Sequence, residues 1–240
     1  MQLKVTKDIT DLSKHFADWL VPHIVKILTS QDRFTIALSG GSTPKKLYQL
    51  LASEAYKNKI EWSRIHFFLG DERFVPYTDD RNNGRMIFET LLGFVPVKKE
   101  QIHMMRTDME PEASAADYEK ILRSYFPDVN HTFDLVLLGL GDNAHTLSLF
   151  PGYPVIFEKA KWVESFYLKE EKIYRITLTA PVVNAAGCIA FLVSGHEKMA
   201  ALYNVFTKEH NPGLYPAQII QPFNDELYWW VDEAAASDLQ

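Results

Sequence analysis

Residues 135–152 read LVLLGLGDNAHTLSLFPG. The run opens with four apolar residues, passes through glycines at 139 and 141, and then presents Asp142, Asn143 and a solitary histidine, His145. A short run that is apolar at every position, rather than at alternate ones, is the pattern of a strand buried on both faces, and such strands belong to parallel sheets covered by helices. The pattern returns at 33–41 (RFTIALSGG), 64–72 (RIHFFLGDE) and 188–196 (CIAFLVSGH), each run ending in glycine and polar residues. Helical spacing separates them, at 44–56, 82–92, 111–125 and 197–207. Ile9, Leu12, Phe16, Leu20, Ile24, Ile27 and Leu28 predict a long opening helix over 8–29 despite Pro22. This alternation specifies an α/β fold with a doubly wound, mostly parallel sheet flanked by helices. KWVESFYL (161–168) and KIYRITLTA (172–180) are too close together to hold a crossover helix, so the second half adds antiparallel strands. LYWWVD (227–232) reads as the last strand, with Trp229 and Trp230 as packing residues.

Bulk composition narrows the function classes. A chain of 240 residues, 47% apolar, can fill one large core, and no repeat or linker divides it, so residues 1–240 are expected to form a single α/β domain. The net charge of −6 arises from 31 acidic and 25 basic residues scattered along the chain, leaving no basic tract to follow a nucleic-acid backbone. No signal-like leader and no membrane-length apolar run is present, so the expectation is a cytoplasmic protein without nucleic-acid or membrane partners. The single cysteine, Cys188, lies in an apolar run and reads as a buried small residue suited to a reducing compartment.

In open α/β sheets ligands bind beyond the carboxyl ends of the strands. That rule gathers four loops: Ser39–Thr43, Gly70–Arg73, Gly139–His145 and Ser194–Lys198. In SGGSTP (39–44), Ser42 or Thr43 suits an N-cap and Pro44 the first helical position; Gly40 and Gly41 admit a close backbone approach, and the helix start favours an anion. The loop is either a well-capped turn or a phosphate site. Lys198 falls in a first helical turn, where a cation is disfavoured unless it is solvated or faces an anion. Arg175, heading a run of threonines, is either an exposed residue at a strand start or a guanidinium clamp for the same phosphate. Asp71, Glu72 and Arg73 form either a solvated turn or part of a polar site. His145 is the base candidate, because an imidazole can take a proton from water near neutral pH; no metal-ligand pattern such as His-Glu-x-x-His is present.

Taken in order, SGGSTP, GDERFVP, GLGDNAHTLSLFPG, RITLTAPVVNAA and SGHEK resemble the 6-phosphogluconolactonases, which act second in the oxidative pentose phosphate pathway. The resemblance covers about residues 33 to 230. It implies a fold similar to that of the glucosamine-6-phosphate deaminases, no metal or organic cofactor, and hydrolysis of 6-phospho-D-glucono-1,5-lactone, a small phosphosugar substrate. It maps the general base onto His145, the phosphate contacts onto Gly40, Gly41, Ser42, Arg175 and Lys198, and site-lining residues onto Asp71 and Arg73. The family usually reads Asp-Gly-His where this chain has Asn143, Ala144 and His145. Asn143 can orient the imidazole only by hydrogen bonding, and Asp142, one place earlier, is the other candidate to serve it. Ala144 would be strained if its position needs a positive φ. The rival readings are an aminosugar-phosphate deaminase/isomerase, whose segment after the histidine carries a glutamate where HTLSLFPG has none, and a non-catalytic sugar-phosphate binder.

Overall fold

The computed structural model describes residues 1–239. Strands β1 (Gln2–Thr6), β2 (Phe34–Leu38), β3 (Ile65–Leu69), β5 (Ile102–His103), β6 (Leu135–Leu138), β9 (Ile189–Val193) and β10 (Leu227–Asp232) form a sheet in the order β1-β10-β9-β6-β2-β3-β5, parallel throughout. Every residue of β2, β6 and β9 is buried, as their uninterrupted apolar sequences require. A second sheet, β4-β8-β7, is antiparallel; β7 (Val163–Leu168) and β8 (Ile173–Leu178) are the expected hairpin, and β4 (Asp71–Arg73) joins them from the first half of the chain.

Helix α1 (Ile9–Leu28) is capped by Asp8, whose carboxylate accepts the amides of Thr10 and Asp11 at 2.8 and 2.9 Å, and it buries the Leu12, Phe16, Leu20, Ile24 stripe. It packs on α2 (Ser42–Leu51), whereas α4 (Pro111–Tyr125) packs against β7 and β8. The expected helix over 82–92 divides into α3 (Asn83–Ile87) and a π-helical turn (Phe88–Leu92). A short α5 (Ala180–Asn184) follows β8, and α6 (Met199–Thr207) starts after a 3₁₀ turn at His196–Lys198. Trp229, Trp230 and Cys188 are buried in the core, and burial pushes the Cys188 thiol up to about 12. His103 lies on strand β5, stacked on Phe68. No helix among the described residues is long and apolar enough to cross a membrane.

From β2 the chain steps one way to β3 and β5, then returns to place β6 on the other side of β2 and continues to β9 and β10. The order therefore reverses between β2 and β6. That is the switch point where the loops after neighbouring strands diverge and leave a crevice.

Candidate active site

A cleft of about 280 Å³ opens at this switch point, lined by the Ser39–Pro44 loop after β2, Asp71 and Arg73 of β4, the Gly139–Asp142 and His145–Leu147 segments after β6, Arg175 of β8 and Lys198. Every loop expected to converge does so.

Two details of the first loop differ from expectation. Neither Ser42 nor Thr43 is the N-cap: Gly41 is, with φ +102°, and Pro44 is the third helical residue. The positive φ turns the chain sharply into α2, and the Gly41 carbonyl accepts the Lys45 amide at 3.1 Å. No side chain caps the helix, so the first-turn amides of Ser42 and Thr43 meet the cleft without a competing carboxylate or hydroxyl.

Strand geometry sorts the three charges of β4. Asp71 and Arg73 share one face and line the cleft, whereas Glu72 points the other way and accepts the amides of Asn83 and Gly84 at the start of α3, both at 2.8 Å. Burial pushes the Glu72 carboxyl up to about 7 against those donors. Across the ladder Arg73 pairs directly with Arg175, two cations opposite one another in an antiparallel register. Like charges so placed are destabilising unless something anionic compensates them. Arg73 donates to Asn83 Oδ1 at 2.8 Å, and Arg175, only 3% exposed, donates Nη2 to both oxygens of Glu171 at 2.9 and 2.7 Å. Its Nη1 lies 3.7 Å from Asp71 Oδ2, while its buried Nε has no partner. Arg175 is thus an interior residue of β8, not an exposed one at a strand start. Asp71, itself buried, accepts the Ser148 hydroxyl at 2.6 Å.

His145 Nδ1 lies 2.6 Å from Asn143 Oδ1, and that oxygen also accepts the His145 backbone amide at 3.2 Å. A backbone nitrogen can only donate, so the shared atom is an acceptor, and Nδ1 must carry the ring proton. Nε2 is left with its lone pair. The imidazole stacks on Phe150, centroids 4.0 Å apart and planes at 22°. Gly141 makes room for it, since a Cβ there would strike the His145 ring. Ala144 and Leu147, which flank the histidine closely, both adopt left-handed conformations (φ 63° and 54°), so the loop carries the strain that a non-glycine residue at 144 entails, on the order of 1 kcal/mol at such a residue. Burial pushes the His145 imidazole down to about 4; Asp71 opposes this, Arg175 and Lys198 add to it, and Asp142 opposes it. Asp142 lines the cleft but is not the ring's hydrogen-bond partner.

Sequence reading did not single out Asn83, Ser148, Phe150 or Glu171, which hold Arg73, Asp71, His145 and Arg175 respectively. Among the described residues no three His, Cys, Asp or Glu side chains gather as a metal-ligand group.

Comparison with known proteins agrees with this fold. A family model described as glucosamine-6-phosphate isomerases/6-phosphogluconolactonase matches residues 7–229. A 6-phosphogluconolactonase of Nostoc sp. is 38% identical over 241 residues, spanning 99% of this chain and 98% of that protein. One from Haemophilus influenzae is 32% identical over 223 residues, spanning 93% and 95%. The solved structure of 6-phosphogluconolactonase from Trypanosoma brucei aligns with a TM-score of 0.87 at 28% identity, covering 100% of this chain and 98% of that one. A monomeric glucosamine-6-phosphate deaminase aligns with a TM-score of 0.83 at 17% identity over 99% of each chain, a likeness of fold alone. With its full-length relatives and its site at the sheet's switch point, the chain belongs to the glucosamine-6-phosphate isomerase/6-phosphogluconolactonase family.

Proposed function

We propose that this chain hydrolyses 6-phospho-D-glucono-1,5-lactone to 6-phospho-D-gluconate, the lactone-opening step of the oxidative pentose phosphate pathway, with His145 as general base. The observation that carries this reading is the fixed tautomer of His145: an Nε2 with a free lone pair in a cleft whose other walls carry the α2 first-turn residues, Arg175 and Lys198. In this reading the phosphate sits among the α2 first-turn amides at Gly41–Thr43, Arg175 and Lys198, with Gly40 allowing the backbone close and Arg73 beside it. Nε2 takes a proton from water as its oxygen attacks C1. The carbonyl electrons move onto oxygen, and the resulting oxyanion needs donors. Within 141–145 the amides of Gly141, Ala144 and His145 are already bonded inside the loop, which leaves those of Asp142 and Asn143 for this task. Collapse breaks the C1–O5 bond, and the imidazolium returns its proton to the departing C5 oxygen. Asp71 serves the imidazolium electrostatically, in place of a carboxylate at position 143, and keeps Arg175 paired.

The deaminase reading fits less well, because the segment after His145 carries no acid: Ser148 bonds Asp71 and Phe150 stacks on the ring. The buried lone thiol of Cys188 suits the cytoplasm, where this reading places the enzyme. Freshly generated 6-phosphogluconolactone tests the proposal. The protein is expected to speed proton release well above the spontaneous rate and to release no ammonia from glucosamine 6-phosphate; the reverse pattern would reject it.

A further inference from the structure

The base and one of the phosphate cations touch the same aromatic ring. Phe150 stacks on His145, and the Arg175 guanidinium carbon lies 5.4 Å from the Phe150 centroid. Arg175 is buried and lines the same cleft as His145, so little water screens its charge. The charged groups around the imidazole come from four places: Asp71 from β4, Arg175 from β8, Lys198 from the turn before α6, and Asp142 from the histidine's own loop. Two of them favour an imidazolium and two oppose it. The two that oppose it are the ones assigned above to hold the substrate's phosphate.

We propose that occupation of the phosphate subsite arms His145: a dianion held by Arg175 and Lys198 cancels the two cations that disfavour the imidazolium, so the base reaches full strength only on a phosphorylated lactone. This rests on the reading of the site given above. Without a phosphate, burial foremost, opposed by Asp71 and then reinforced by Arg175 and Lys198, with Asp142 opposing last, leaves His145 a weak base near 4. A base closer to the operating pH takes a proton from water more effectively. Selection for the phosphate therefore appears in turnover as well as in binding, because part of the phosphate's interaction energy is realised only as the imidazolium forms.

The test uses the full chain and two probes. Inorganic phosphate, with saturation read from the NMR shifts of the Ser42 and Thr43 amides, is expected to raise the apparent pKa of the His145 ring by about one unit or more. Inorganic phosphite is expected to accelerate opening of unphosphorylated glucono-1,5-lactone several-fold. Phosphate that saturates those amides yet leaves the His145 titration unmoved overturns the inference, as does phosphite that gives no acceleration while the phosphorylated lactone is turned over. If the phosphorylated lactone is itself not turned over, or phosphate never reaches those amides, the reading of the site fails and takes the inference with it.

Discussion

Asn143 Oδ1 accepts two hydrogen bonds from one residue, the backbone amide and the ring Nδ1 of His145. The first identifies the amide oxygen and the second fixes the tautomer, so the side chain does by orientation what a carboxylate would do by orientation and charge together. Asn143→Leu is expected to lower kcat by about ten-fold or more by freeing the ring and its tautomer, a loss within the range that positioned general bases contribute. Asn143→Asp should raise the imidazole's pKa and move the acid limb of the rate profile to higher pH. An unmoved limb in Asn143→Asp would show that position 143 does not sense the base.

Gly141 tests geometry without removing any functional group. A methyl there meets the His145 ring, which must then swing off its line. Gly141→Ala is expected to cost up to about 100-fold in kcat, as a displacement near 1 Å can, while leaving binding of 6-phosphogluconate close to wild type. Equal losses in both would mean that the whole loop has collapsed.

Lys198 and Arg175 line the same cleft but differ as targets. Lys198 is half-buried at the cleft, whereas Arg175 is buried against Asp71 and Glu171, so deleting Arg175 strands a buried carboxylate. Lys198→Ala is expected to raise KM about ten- to hundred-fold, the loss of one charge-assisted hydrogen bond, with a folded protein and an unchanged melting temperature. Arg175→Ala should weaken substrate binding and also lower the melting temperature by several degrees.

Histidines set the acid side of the stability curve. Burial pushes His145 and His103 down to about 4 and lowers His23 and His66 as well. Each binds a proton more readily when unfolded, near 6.5, than when folded, so stability is complete above about pH 6.5 and falls as the pH drops toward 4. The slope is at most about 1.4 kcal/mol per pH unit for each histidine that titrates, and less for these partly exposed rings. Chemical unfolding at pH 7 and 5 measures it; His103→Gln should flatten the difference, and a stability unchanged between the two pH values would contradict the assignment.

What the sequence disclosed follows from what each element must bury. β2, β6 and β9 announce themselves because both faces are covered. β1 does not: it is an edge strand with four of five residues exposed, and QLKVT carries no apolar run. β4 and β5, three and two residues long, are too short to show a period. The α2 cap was misplaced by one or two residues because a side-chain cap is visible in sequence, whereas the positive φ of Gly41 is not. His145 and Lys198 were legible because a rule about strand ends brings their loops to the cleft; Arg175, inside β8, was reached through its place before the threonines and the family resemblance. Asn83 and Ser148 were not legible, because each acquires its role from a partner on another element: Ser148 and Asp71 are 77 residues apart. Glu171 lies only four residues from Arg175, but nothing in the sequence marks the turn before β8 as bringing the two together.

The steady-state kinetics of His145→Ala on freshly generated 6-phosphogluconolactone, paired with its affinity for 6-phosphogluconate, tests the central claim most directly. The account predicts a loss of about 10²- to 10⁴-fold in kcat with product affinity nearly unchanged. Wild-type turnover in that variant would contradict it and remove His145 as the base.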